Sequence, residues 1–345
     1  MKIYSFILGI LIPVLGFTAC SCSTEIAIEE VLGASTASPV FLSFKAVSST
    51  EVAFEFSAPV KVLSLHFEPA LEVASISEGA NVSINLKQDL GAEKKLLADI
   101  LVEDENENTL NVLVPFRGRN NRLPPLLINE LRTEHSSSTT KTGKVERIEF
   151  VELKTLSAGN LAALRLFIAS YSMTEPIFEF PSVEVKSGEY IVVHLRTLET
   201  GTVNETGADL GASAGTDASP TGRDFWYPDT TAQLGMTDAV FLLDQDNRVL
   251  DSVVLSKTAD KWSKEVFADA AKFLAQQGAW LPGNGKAGTI PGPADAVITE
   301  STTATRTICR DESITDTNKA ADWYITDTSK ASPGTKNNTE RYKKK

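Results

Sequence analysis

The sequence predicts a mainly β protein: two antiparallel β-sandwiches in tandem, the second carrying one inserted amphipathic helix. Three observations carry this expectation. Apolar residues recur with period two, as at Val52, Phe54 and Phe56 and again at Val82, Ile84 and Leu86, which is the spacing of half-buried strands. The polar joint "RGRNNRLPP" (117–125) separates two such regions of 39–116 and 126–337. Trp262, Val266, Phe267, Ala270, Phe273 and Leu274 instead follow helical spacing until Gly278.

Residues 1–19 read as a secretory signal, with Lys2 the only charge before an apolar run over residues 3–19. In helix that run reaches about 25 Å, short of a hydrocarbon core of about 30 Å, so cleavage is expected rather than a spanning helix. The run ends in "FTACSC", where Cys20 and Cys22 offer two thiols against the four ligands a zinc site needs. Phe17-Thr18-Ala19-Cys20 resembles a bacterial lipoprotein signal in the relaxed form of spirochaetes. The resemblance implies lipid on Cys20, with Cys22 the alternative acceptor, and no other cofactor. Two or three acyl chains would hold the protein to a membrane, since each buried methylene adds about 0.8 kcal/mol. Ser21 resembles the residue found in lipoproteins released to the outer membrane, favoured here over the inner membrane. The third cysteine, Cys309 in the strand-like "RTICRD", is expected as a buried apolar filler.

The formal net charge of -12 disfavours nucleic acid as a partner, because an acidic surface repels phosphate backbones. The basic tail "ERYKKK" within 338–345 is read as a solvated end. Residues 20–38 are polar and small and suit a tether. Beyond them, strands are expected at 40–47, 52–56, 60–67, 82–86, 97–103 and 110–116, separated by "SSTE", "SEGAN" and "EDENENT". "TEVAFEFSAPVKV" followed by "ADILVEDENENTL" resembles bacterial immunoglobulin-like domains over 39–116.

In the second unit, "LLINELRTE", "IEFVELKTLSAGNLAALRLF", "FEFPSVEVKSGEYIVVH", "DAVFLLDQDNRVLDSVV", "TATRTICRD" and "DWYITDTSKASPGTKN" follow in order. Together they resemble a lamin-tail domain, through Ile128, Asn129 and Glu130; Glu149, Phe150, Glu152 and Leu153; Leu161 and Gly188. The match continues through Asp238, Leu242, Asp244 and Asp251; Arg306 and Trp323; and Ser332, Pro333, Gly334 and Asn337. The resemblance implies an immunoglobulin-like sandwich in an exported, envelope-linked protein with binding and tethering roles. The residue patterns add local detail. The apolar phase of "IEFVELK" slips by one, predicting a β-bulge near Phe150. "DQDN" predicts a hairpin turn, and "SPGTKN" a turn that stops the final strand. Phe150, Leu153, Leu166, Val192, Leu242 and Trp323 are the expected core. Glu149 and Glu152 form a candidate cation site with Asp244 or Asp251, against the commoner use of such carboxylates in turns and ion pairs.

Two insertions lengthen this unit, at 199–236 and 256–301. The first reads as a mobile loop around Phe225, Trp226 and Tyr227, which either pack back onto the sandwich or form a contact point. The second holds the helix. Catalytic-looking strings lack their context. "GASAG" around Ser213 lies in small-residue coil with no later His, and "GNGKAG" (283–288) follows a helix where a phosphate loop precedes one. "DENENT" lacks the glycine and glutamate of a calcium loop, and His66, His135 and His194 share no metal spacing. The expectation is therefore a non-catalytic, membrane-anchored envelope lipoprotein that binds a protein or a cell-wall glycan. The alternative is an accessory or divergent envelope hydrolase.

Overall fold

The computed structural model describes residues 38–344 apart from 93, 142, 285, 287 and 288. The signal segment, Cys20, Cys22 and nearly all of the tether lie outside the described residues. The chain is mainly β, with one α-helix among the described residues.

The first unit has six antiparallel strands: β1 (Phe41–Ser48), β2 (Glu51–Glu68), β3 (Val73–Ser77), β4 (Gly79–Leu86), β5 (Lys95–Glu103) and β6 (Thr109–Arg117). The segments expected as two strands, 52–56 and 60–67, are one continuous strand, β2. Its first half pairs β1 and β4, its second half pairs β5, and the register breaks between Glu55 and Val60 around Pro59, which has no N–H to donate. One strand thereby supplies both sheets of a sandwich in the order β3-β4-β2-β5-β6, with β1 on β2. Val52, Phe54, Val82, Ile84, Ile100 and Val102 are completely buried between the layers, at about 1.5 to 3 kcal/mol for each large side chain. Phe44 of β1 closes the layers against Phe116 of β6 at 4.8 Å between ring centroids.

The second unit begins with β7 (Leu126–Arg132), the β8 (Ser136–Thr140) and β9 (Gly143–Arg147) hairpin, and β10 (Phe150–Thr155). Then follow β11 (Gly159–Asn160), β12 (Arg165–Ile168), β13 (Phe178–Glu179), β14 (Glu184–Val185), β15 (Tyr190–His194) and β16 (Arg223–Trp226). The chain continues through β17 (Asp238–Leu243), β18 (Val249–Ser256), α1 (Glu265–Gln276), β19 (Val297–Ile298), β20 (Ile308–Arg310) and β21 (Trp323–Ile325). A six-stranded sheet, β16-β15-β10-β7-β20-β21, faces a five-stranded sheet, β13-β12-β17-β18-β19. Both are antiparallel except for the β15–β16 and β18–β19 pairs, which are parallel because long insertions rather than hairpins connect them.

Helix α1 covers the outer side of the smaller sheet. Phe267, Ala270, Ala271 and Leu274 are its buried stripe, Phe273 meets Phe241 at 5.7 Å, and Gly278 ends it with φ of +70°. The "DQDN" hairpin forms as expected, with Asn247 at φ of +62°. The bulge does not sit at Phe150. It lies on the partner strand, where Asn129 is extra between Glu130, opposite Glu152, and Ile128, opposite Leu153. All six expected core residues are buried, but Phe150 and Val192 lie on the outer face of the six-stranded sheet, away from the apolar cluster between the layers.

Candidate functional site

That outer face holds the densest polar cluster of the second unit. Pairing sets two rows across it. One row reads Asp224, Val192, Glu152, Glu130 and Cys309; the other reads Trp226, His194, Phe150 and Arg132. All nine side chains are buried. Polar residues at these alternating positions would face water in an ordinary two-layer sandwich. Here two segments cover them.

The first cover is the insertion. Arg132 pairs with Asp217, and Glu199 accepts from Thr216 N at 2.9 Å. Glu205 accepts from Ser213 N at 3.0 Å and from Asp224 N at 2.9 Å. His194 Nε2 lies 2.8 Å from Asp224 Oδ1, and its ring stacks on Trp226 at 3.8 Å. Trp226 in turn donates Nε1–H to Ser213 Oγ at 2.8 Å, so the serine of "GASAG" serves as a structural acceptor. The insertion at 199–236, expected as a loop, makes these hydrogen bonds, within itself and to the sheet, through its first part. Its carboxylates anchor it over the sheet. Phe225 and Trp226 are buried, Tyr227 is half-buried, and the trio packs inward as part of and beside β16.

The second cover is the C-terminal segment. Ser332 donates its N–H and hydroxyl to Glu130, at 3.1 and 2.8 Å, and Gly334 donates its N–H to Glu152 at 2.6 Å. Asn129 Nδ2 donates to Glu152 at 2.7 Å, while Asn337 Nδ2 donates to the carbonyls of Asn129 and Arg310 at 3.1 and 2.9 Å. "SPGTKN" therefore does not stop the last strand, which ends at Ile325; it docks onto two carboxylates. The two covers meet at glycine. A Cβ on Gly222 would fall 2.3 Å from Gly334 Cα, and one on Gly334 would fall 2.2 Å from Ser219 Cβ. The basic tail is exposed at Glu340, Arg341, Lys343 and Lys344, as expected, and is tied back at single points. Tyr342 N donates to Ile325 O at 2.9 Å, and Arg341 lies 4.4 Å over the Tyr324 ring.

Burial and the neighbouring Glu130 push the Glu152 carboxyl well above its ordinary range, and burial raises Glu130 as well. The Cys309 thiol is pushed up by burial and then by Glu130. A raised pair of facing carboxyls holds a proton at pH values where an exposed pair would be fully ionised. With both residues closed off from solvent, that proton serves the fold.

The four candidate cation ligands do not converge. Glu149 pairs with Arg196 at 2.5 Å, Glu152 lies in the cluster above, and Asp244 caps its own hairpin by accepting from Asp246 N and Arg248 N at 2.8 and 2.9 Å. Asp251 accepts from Ile128 N at 2.6 Å and from Arg310 at 2.7 Å. Among the described residues, no group of three or more His, Cys, Asp or Glu is placed to hold a metal ion. Sequence reasoning missed Arg132, Glu205, Asp217 and Asp224 as members of the cluster. The available signal was Glu130 and Glu152 falling on one face of neighbouring strands.

A family model, TP_1001_2nd, described as a protein second domain, matches residues 124–325. An uncharacterized protein of Treponema pallidum (strain Nichols) is 26% identical over 178 residues, 49% of this chain and 43% of that protein. The chain thus spans less than half the length of the curated relative it matches. Among solved structures, the N-terminal part of the bacterial S-layer protein SbsC aligns with 67% of this chain and 46% of its own at a TM-score of 0.23 and 14% identity. A DUF4876 family protein from Bacteroides thetaiotaomicron VPI-5482 aligns with 79% and 88%, at a TM-score of 0.26 and 11% identity.

Proposed function

We propose, from the premise that the chain belongs through residues 124–325 to the TP_1001 second-domain family, that it is a non-catalytic envelope lipoprotein. Its second sandwich acts as a binding or structural module, in the manner of the lamin-tail domains that its ordered motifs resemble. The observation that carries this reading is the fate of the chemistry-bearing side chains. Glu130, Glu152, His194 and Asp224 are buried and engaged by turns, amides and a tryptophan ring, whereas a catalytic constellation converges on a pocket that substrate can enter. The motif residues that supply the resemblance, Asn129, Glu130, Glu152, Ser332, Gly334 and Asn337, are the ones that lock the C-terminal turn to the sheet. Their role is to make a rigid platform from which loops meet a protein or cell-wall glycan partner.

The anchor in this proposal is a lipid on Cys20, following "FTAC", which holds the protein to the outer membrane. Cys20→Ala, with Cys22 intact, is expected to move the protein from the detergent phase to the aqueous phase or to block its maturation. Unchanged acylation on Cys22 would overturn the choice of acceptor. Esterase, phosphatase or nuclease turnover that vanishes with Ser213→Ala, or with Glu149→Ala plus Glu152→Ala, would move the hydrolase reading ahead.

A further inference from the structure

A cavity of about 410 Å³ lies where the two sandwiches meet, within the range of small-ligand sites. We propose that it binds a small multivalent oxyanion, a phosphate- or sulfate-bearing group. Four cations line it: Lys45 from β1, Arg117 and Arg119 from the joint, and Arg165 from β12. Among the described residues, two carboxylates line it with them, Glu179 and Asp246.

Both carboxylates are already engaged. Arg117 pairs with Glu179 at 2.5 Å, and Arg119 grips Asp246 with both terminal nitrogens, Nη1 to Oδ1 at 2.8 Å. Lys45 is exposed and acts on Asp246 only through its charge, with no ion pair among the described residues to hold its ammonium in place. Arg165 is held by neutral acceptors, the Asp244 carbonyl and Asn247 Oδ1 at 2.9 Å, so its charge is also unbalanced. The hydrogen bond from Arg119, together with the charges of Arg119, Arg248 and Lys45, holds the Asp246 carboxyl below its ordinary range. This cluster of cations lies on a chain of net charge -12, so it is a local site of opposite sign to the molecule as a whole.

The cleft is also preorganised. Asn120 and Gln245 exchange two hydrogen bonds of 2.9 Å, tying the joint to the "DQDN" hairpin. Gly118 packs so closely on Gly91 that a Cβ would fall 2.3 Å from its carbonyl oxygen. The backbone around the cleft is thus held in place, with Lys45 and Arg165 lining it from different sandwiches. The net charge of -12 disfavours a long polyanion as the ligand. The inference deepens the binding-module reading and rests on it for its biological sense, while the site stands on its own geometry.

The test is calorimetric titration of the detergent-solubilised full chain with sodium pyrophosphate and with sucrose octasulfate, sucrose serving as the neutral control. Saturable binding of at least one anion is expected, weakening steeply as salt rises from about 20 to about 300 mM. Lys45→Glu, at an exposed position, should weaken it about tenfold or more, as should Arg165→Gln. The tighter of the two probes identifies a phosphate or a sulfate source. Absence of saturable binding up to about 10 mM of either anion, or equal affinity in both variants and the parent, would overturn the proposal. Lys45→Glu leaves the Cys20 anchor untouched, so detergent partition separates failure of this site from failure of the anchored-module reading.

Discussion

Glu130 on β7 and Glu152 on β10 lie directly opposite each other, both completely buried, and each accepts hydrogen bonds from the turn that begins at Ser332. Two like charges at facing positions in one sheet would repel. The raised carboxyls resolve this by retaining a proton, and the turn donors satisfy the remaining lone pairs.

This arrangement has a pH signature. A carboxyl raised in the folded state binds its proton there when the unfolded chain has already lost it. Stability therefore falls as pH rises above the unfolded carboxylate range, near 4.5, until the folded group ionises. Glu152→Gln removes that linkage. Urea unfolding across pH 4 to 8 is expected to show the variant losing less stability with rising pH, by a slope of up to about 1.4 kcal/mol per pH unit. Parallel pH profiles would show that the pair does not share a proton.

Gly334→Ala should be costly in two ways. Its φ of +75° lies in the left-handed region, and the added methyl would overlap Ser219 Cβ. We expect a loss of roughly 2 to 4 kcal/mol by chemical denaturation. An unchanged midpoint would mean that the C-terminal turn docks elsewhere.

The anchored insertion predicts protease resistance. Limited proteolysis should leave residues 199–222 intact in the parent protein, whereas Asp217→Ala strips Arg132 of its carboxylate and opens this segment to early cutting. Cleavage of the parent there before any other site among the described residues would contradict the structure.

Cys309 is completely buried and its thiol is pushed up by burial. A thiol reagent should leave it unmodified at neutral pH in the folded protein and label it fully in denaturant, which mass measurement of the modified chain reads directly. Rapid labelling without denaturant would place β20 at an open edge.

By itself the sequence determined the strands and the helix, because one-sided burial leaves a local period. Val82, Ile84 and Leu86 announce β4, Val266 to Leu274 announce α1, and "DQDN" between apolar runs announces its hairpin. Only tertiary structure decided that β2 runs unbroken past Pro59, that the extra residue is Asn129 rather than one near Phe150, and that the insertion and the C-terminal turn roof the polar face of the sheet. The reason is physical. Glu205, Asp217 and Ser332 look like surface residues because a buried hydrogen bond between segments up to 202 residues apart imposes no periodicity on either one. Burial of a polar group depends on a partner that local sequence does not name.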